Sequence, residues 1–179
     1  MSYSAFIIST LALLFTVFSF WWMNWRKGKL IVGVPRSYAA FGSEEGRAVL
    51  EFPFIFFNNG PMPIFIQNLR IIIANEEDRC PFIFTATVEK LGTDHNRSLA
   101  TQFPVRGREA ALLICQFQRE PGNILFQQGS YPIELQALIG NSMKWKRISR
   151  FSMNVSSRSG QSINSQFIAH DNIQDRIGN

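Results

Sequence analysis

The stretch SFWWMNWRKGKLIVGV (residues 19–34) passes from phenylalanines through three tryptophans into a basic cluster, then straight into an apolar run of strand character. Its reading divides the chain into an apolar helix and an all-β domain. Upstream, residues 1–25 carry no charged side chain, and residues 5–23 are apolar apart from Ser9, Thr10, Thr16 and Ser19. At about 1.5 Å rise per residue such a run crosses a hydrocarbon layer of roughly 30 Å as a helix. The pattern predicts a transmembrane helix over 1–25. A cleaved signal peptide has its basic residues before the apolar stretch and small residues at its end, whereas here the cations follow and tryptophans line the exit. The competing reading is an apolar helix buried inside a soluble protein.

An indole is an amphipathic ring with one N–H donor, best placed where acyl chains meet headgroups, so Trp21, Trp22 and Trp25 mark an expected membrane boundary. Arg26, Lys27 and Lys29 follow in a basic juxtamembrane segment, 26–29. Cations in a short flank are retained on the cytoplasmic side, which predicts an outside amino terminus and a cytoplasmic C-terminal domain.

The chain holds 18 basic and 13 acidic residues, a formal charge of +5; without Arg26, Lys27 and Lys29 the balance is 15 minus 13, or +2. That is not the broad basic surface of a nucleic-acid binder, and no recognition-helix or zinc spacing accompanies it. A second basic cluster, Lys144, Lys146, Arg147 and Arg150, reads either as a solvated strand face or as a candidate contact for anionic lipid or an acidic partner.

From residue 30 to 155 short apolar or alternating runs are separated by turn residues. The expected strands are 30–34, 48–58, 63–73, 81–91, 98–105, 110–118, 131–140 and 144–155. FNNGPMP, REPGN, QQGS and IGNSMK supply the breaks, through residues that tolerate positive φ or fix φ. In YPIELQALI, Tyr131, Ile133, Leu135, Ala137 and Ile139 share one face. Strict alternation in the last strand places Trp145, Arg147, Ser149, Phe151 and Met153 together, opposite Lys144, Lys146, Ile148, Arg150 and Ser152. Eight strands with no helical period between them point to an antiparallel sandwich or barrel.

NNGPMPIFIQNLRI, FPVRGREAALLICQF and YPIELQALIG followed by a strand resemble immunoglobulin-like sandwiches, including the late-embryogenesis-abundant type found behind single membrane anchors. The resemblance spans residues 32–155 and implies an immunoglobulin-like β-sandwich. It implies little about function, because such sandwiches host adhesion, assembly, chaperone and binding roles alike. The Cys-Trp-Cys signature of antibody-type domains is absent, since no tryptophan lies between Cys80 and Cys115.

Phe52, Phe54, Phe56, Phe57, Phe65, Phe82 and Phe84 read as sandwich core, with a hydrophobic-ligand pocket as the alternative. FPFIFF is apolar on both faces, so one side is a candidate contact for a partner subunit. Residues 156–179 are polar and read as a mobile tail; the alternative is docking through Ile163, Phe167, Ile168, Ile173 and Ile177.

Chemistry is sparse. His95 and His170 each adjoin an aspartate, Asp94 and Asp171, without a second ligand at metal spacing, and read as surface-loop residues. No G-x-S-x-G elbow or G-K-[ST] loop is present. Glu44, Glu45 and the cluster 76–78 read as solvated turns. Cys80 and Cys115 read as free thiols, Cys115 in the core. Sequons at Asn96 and Asn154 matter only in a glycosylating lumen. The expectation is a non-enzymatic, cofactor-free, single-pass membrane protein that holds a sandwich at the cytoplasmic face, where it meets the lipid bilayer and a protein in or on it. The alternative is an envelope protein whose sandwich faces the periplasm or cell exterior.

Overall fold

In α1 (Tyr3–Asn24) no residue is buried. The hydroxyls of Ser9, Thr10 and Thr16 donate to the carbonyls of Ala5 (2.9 Å), Phe6 (2.9 Å) and Ala12 (2.8 Å). Their polarity is thus absorbed by the helix's own preceding turn. The computed structural model that gives this geometry describes residues 3–74, 80–93 and 96–172. Its 22-residue α1 is long and apolar enough to cross a membrane.

The rest is predominantly antiparallel β. The strands are β1 (Leu30–Val32), β2 (Ser37–Phe41), β3 (Ala48–Asn58), β4 (Ile64–Ile73), β5 (Phe82–Val88), β6 (Arg97–Leu99), β7 (Phe103–Val105), β8 (Ala110–Arg119), β9 (Gly129–Ile139), β10 (Lys146–Val155) and β11 (Ile168–Asp171), with a short helix α2 (Ser157–Ser162) between the last two. Hydrogen bonds run continuously in the order β10-β9-β4-β5-β8-β3-β2-β11, with β1 on β3, β6 on β5 and β7 on β4. The sheet curls around one core. Phe52, Phe54 and Phe56, alternate residues of β3, are fully buried and point inward. Phe151 of β10 meets Phe52 edge-on at 5.2 Å, and Phe117 of β8 meets Phe54 at 6.3 Å. The first contact crosses the core between strands far apart in the sheet order, the second joins neighbouring strands of one wall, and edge-to-face pairs add to the burial energy of each ring.

Most of the expected strands are present, with three differences. A further strand, β2, pairs with β3 beyond β1; Gly33 still donates to the Ile55 carbonyl (2.9 Å), and the break falls at Pro35, which has no N–H to give. The run 98–105 is two strands, β6 and β7, because it leaves the β5 edge and joins the β4 edge.

The third difference is the tail. The reading of 156–179 as mobile is wrong for 156–172. Ser156 caps α2 by accepting from the Ser159 N–H (3.1 Å), Ile163 is fully buried, and β11 extends the sheet beyond β2. Asn164 donates to the Phe126 carbonyl (2.8 Å) and accepts from its N–H (3.0 Å). Asn172, 5% exposed, donates from Nδ2 to the carbonyls of Pro35 (3.0 Å) and Ser152 (2.9 Å) and accepts at Oδ1 from the Asn154 N–H (2.9 Å). An asparagine side chain is a peptide group on a tether, so it pairs with backbone where no strand does. Here it bridges β10 to the segment before β2, linking the two ends of the curled sheet. Ile173 and Ile177 lie outside the described residues.

Candidate functional site

Strand direction decides what gathers at the α1 end of the domain. β1 starts there, β3 ends there, and β4, β8 and β10 start there, so the segments 26–29, 59–63, 106–109 and 140–145 converge. Arg26, Lys27, Lys29, Arg106, Arg108 and Lys144 come with them, and Glu109 is the sole carboxylate these four segments carry. The opposite connections carry Glu44, Glu45 and Glu120. The fold therefore concentrates cations at the α1 end, whereas at the other end Glu44, Glu45 and Glu120 are offset by Arg47, Arg119 and Arg158. Arg106 and Arg108 are functional candidates that the sequence reading missed; the signal for them was strand parity, since antiparallel strands return every second connection to the same end.

The helix joins this end through a short, tightly bonded seam. Arg108 donates to the Met23 carbonyl in the last turn of α1 (3.0 Å), and Arg26 donates to the Asn59 carbonyl (2.9 Å). The Lys29 N–H donates to Asn59 Oδ1 (2.7 Å), and the Asn59 N–H returns to the Lys29 carbonyl (3.3 Å). Gly28 and Gly60 meet backbone to backbone: a Cβ on Gly60 would lie 2.2 Å from the Gly28 Cα. Only glycine permits that approach. The Arg26 guanidinium also lies 4.5 Å from the Trp22 ring centre, a cation–π contact one helical turn back. Trp21, Trp22 and Trp25 are all exposed around the helix end.

The two basic clusters that the sequence keeps more than a hundred residues apart border one groove of about 710 Å³. Lys27 and Lys29 stand on one side, Lys146 and Arg147 on the other. Between them lie Leu30, Ile64, Phe65 and Ile148; Leu30 and Ile148 pack against the core, while Phe65 is 56% exposed.

Strict alternation fails in β10. The register shifts between Arg147 and Ser149, so Arg147 pairs with Gln136 and Arg150 with Glu134. A bulge at Ile148 thus puts both arginines on the outer face, although alternation had assigned Arg147 to the face of Phe151 and Met153. Glu134 of β9 lies 3.2 Å from Arg147 Nη1 and 3.9 Å from Arg150 Nε. Lys144, Lys146, Arg147 and Arg150 are all exposed. Trp145 turns back and takes the Arg70 guanidinium over its ring at 4.4 Å.

Other candidates resolve differently. His170 is not a loop residue: it sits in β11 opposite Tyr38, with ring centres 5.5 Å apart. Its Nε2 is buried without a hydrogen bond, and burial pushes its pKa below the usual value. Serines 130, 156, 157 and 159 line the same cavity, but none is bonded to that nitrogen, and Ser159 Oγ bonds instead to Ser156 Oγ (3.0 Å). Asp94, His95 and the cluster 76–78 lie outside the described residues. Among the described residues no group of three or more His, Cys, Asp or Glu is placed to hold a metal ion. Cys80 is exposed and Cys115 buried, both free, and burial raises the Cys115 thiol pKa strongly. Phe52, Phe54, Phe56, Phe82 and Phe84 are core, whereas Phe57 and Phe65 face outward. A buried Glu51 accepts from Gln116 Nε2 (2.7 Å) and the Gly92 N–H (2.9 Å), beneath the turn that follows β5. No protein-family model matches the chain, and no curated protein matches it.

Proposed function

We propose that this chain is a non-enzymatic, single-pass membrane protein whose β domain is held against the cytoplasmic face of a membrane, as an accessory subunit or recruiter of a protein in or on that membrane. The observation that carries the reading is the seam. A membrane-length helix ends among three exposed tryptophans, and within the next five residues Arg26 and the Lys29 N–H bond to Asn59 of the domain's basic end, while Arg108 of that end bonds back to the helix's last turn. Such a joint keeps that end at the bilayer instead of letting it swing on a tether. The cations collected there favour the anionic cytoplasmic leaflet. For the domain we propose the immunoglobulin-like, late-embryogenesis-abundant kind of sandwich; its antiparallel curled sheet supports that assignment.

Cys80 provides the test, because it is exposed while Cys115 is buried. In sealed vesicles of known sidedness, a membrane-impermeant maleimide should reach Cys80 from the cytoplasmic side only. Labelling from the opposite side alone refutes the placement and favours a periplasmic or exterior domain. The partner-contact role belongs to the outer face of β10. If Arg147→Glu together with Arg150→Glu leaves every co-purifying protein bound as before, that role is wrong.

A further inference from the structure

We propose that the groove between the juxtamembrane segment and the start of β10 binds one anionic phospholipid, its phosphate held by Lys27, Lys29, Lys146 and Arg147 and the upper part of an acyl chain laid over Leu30, Ile64, Phe65 and Ile148. The inference rests on the membrane placement proposed above and names the ligand of that end of the domain.

Three observations converge on this occupant. The first is charge. The ammonium groups of Lys27, Lys29 and Lys146 have no carboxylate partner among the described residues, and Arg147 shares Glu134 with Arg150. Three uncompensated ammonium groups around one gap, with the Glu134-paired Arg147 at its border, repel each other unless an anion sits between them. The second is the floor. A site for a free phosphate or an acidic peptide has polar walls, whereas this groove is apolar between its cationic rims, and Phe65 and Met62 remain 56% and 44% exposed. An amphiphile satisfies both at once. The third is position. Lys27 lies three residues beyond the end of α1, so the groove opens where headgroups meet acyl chains. Its volume of about 710 Å³ falls in the roughly 300–1,000 Å³ range of small-molecule sites.

The test uses the purified full chain in detergent micelles, titrated with phosphatidylglycerol and with phosphatidylcholine of the same acyl chains, bound lipid being counted by native mass spectrometry. One phosphatidylglycerol should be retained in preference to phosphatidylcholine. Lys29→Gln with Lys146→Gln should weaken it about 25-fold, roughly five-fold for each cation removed near the lipid phosphate. Phe65→Ser, which leaves every cation in place, should weaken it about five-fold through lost apolar cover. Arg158→Gln, remote from the groove, should change nothing. Equal retention of phosphatidylcholine, or an unchanged affinity in the double lysine variant, overturns the proposal. So does displacement of the lipid by millimolar inorganic phosphate with Phe65→Ser silent, which would make the site one for a free anion. Micelles have no sides, so this result is independent of Cys80 labelling, and either reading can fail while the other stands.

Discussion

Replacing Asn172 by alanine tests whether the curled sheet is held closed by the segment after β10. The side chain makes three hydrogen bonds, to Pro35, Ser152 and Asn154, and is 5% exposed. At about 1 kcal/mol net for each buried bond, Asn172→Ala should cost ~3 kcal/mol. That is a large share of the roughly 5–15 kcal/mol that holds a domain folded. For a chain of this size it corresponds to a fall in Tm of about 6–12 °C. The backbone bond from the Asn172 N–H to the Arg36 carbonyl (2.8 Å) survives the substitution, so the loss reports on the amide alone. Thermal unfolding of the full chain in mild detergent, followed by near-ultraviolet circular dichroism, measures it. Gln166→Ala serves as control: its residue is exposed in the same segment and should stay within about 0.5 kcal/mol of the parent. If Asn172→Ala melts within 2 °C of the parent, the bridge from β10 to the β2 end contributes nothing, and the closure argument is refuted.

Phe54 is fully buried among Phe52, Phe56, Phe117 and Phe151, and Phe54→Ala should cost about 3–5 kcal/mol in urea unfolding. A loss under 1 kcal/mol would mean that the inner wall is not packed as described. Gly60→Ala puts a Cβ 2.2 Å from the Gly28 Cα, so the juxtamembrane segment must lift away. Tryptic cleavage after Lys27 or Lys29 should then accelerate about ten-fold, equivalent to ~1.4 kcal/mol of local opening; unchanged cleavage argues against the seam. Burial depresses the His170 pKa below 6.5, so the unfolded chain takes up the proton more readily than the folded one. The associated stability is present above about pH 6.5 and is lost as the pH falls through the folded-state value. Urea midpoints of the parent should drop on acidification through that window, and His170→Gln should show a shallower drop.

The sequence carried the period-2 signal wherever a strand has one wet face and one dry face. In β9, Ile133, Leu135 and Ala137 are buried as their alternation required. β3 emerges with the bounds its composition suggested, because ten consecutive residues pair with β8 without a shift. What escaped was non-local. A bulge leaves no mark in the composition of KWKRISRF, yet it moves Arg147 to the other face of the sheet. Asn164 and Asn172 look like loop residues because their value lies in backbone groups elsewhere in the chain that lack strand partners. The basic end was half legible. Arg26, Lys27 and Lys29 are contiguous and visible, but Arg106 and Arg108 join them only once strand directions are known, and nothing in RGRE by itself separates a contact loop from a solvated turn.

Strand parity and the seam together bear on reach. With five residues between α1 and β1, and with Asn59 and Arg108 bonded back to that seam, the domain has little freedom to tilt about its anchor. In the proposed placement the loops 59–63, 106–109 and 140–145 face lipid, and the sides of the sheet stand roughly along the membrane normal. The outer face of β10, with Arg150, then looks sideways, parallel to the bilayer. A soluble partner diffusing in three dimensions can reach that face, but a membrane-held partner meets it already oriented, and much of the rotational freedom lost on association is surrendered in advance. The same small contact surface therefore serves better for a neighbour in the membrane than for a cytosolic one. On this argument, lengthening the 26–29 segment with a flexible insert should weaken a membrane-held partner's association while leaving a soluble partner's untouched. Equal weakening of both, or of neither, would show that the seam does not set the domain's attitude.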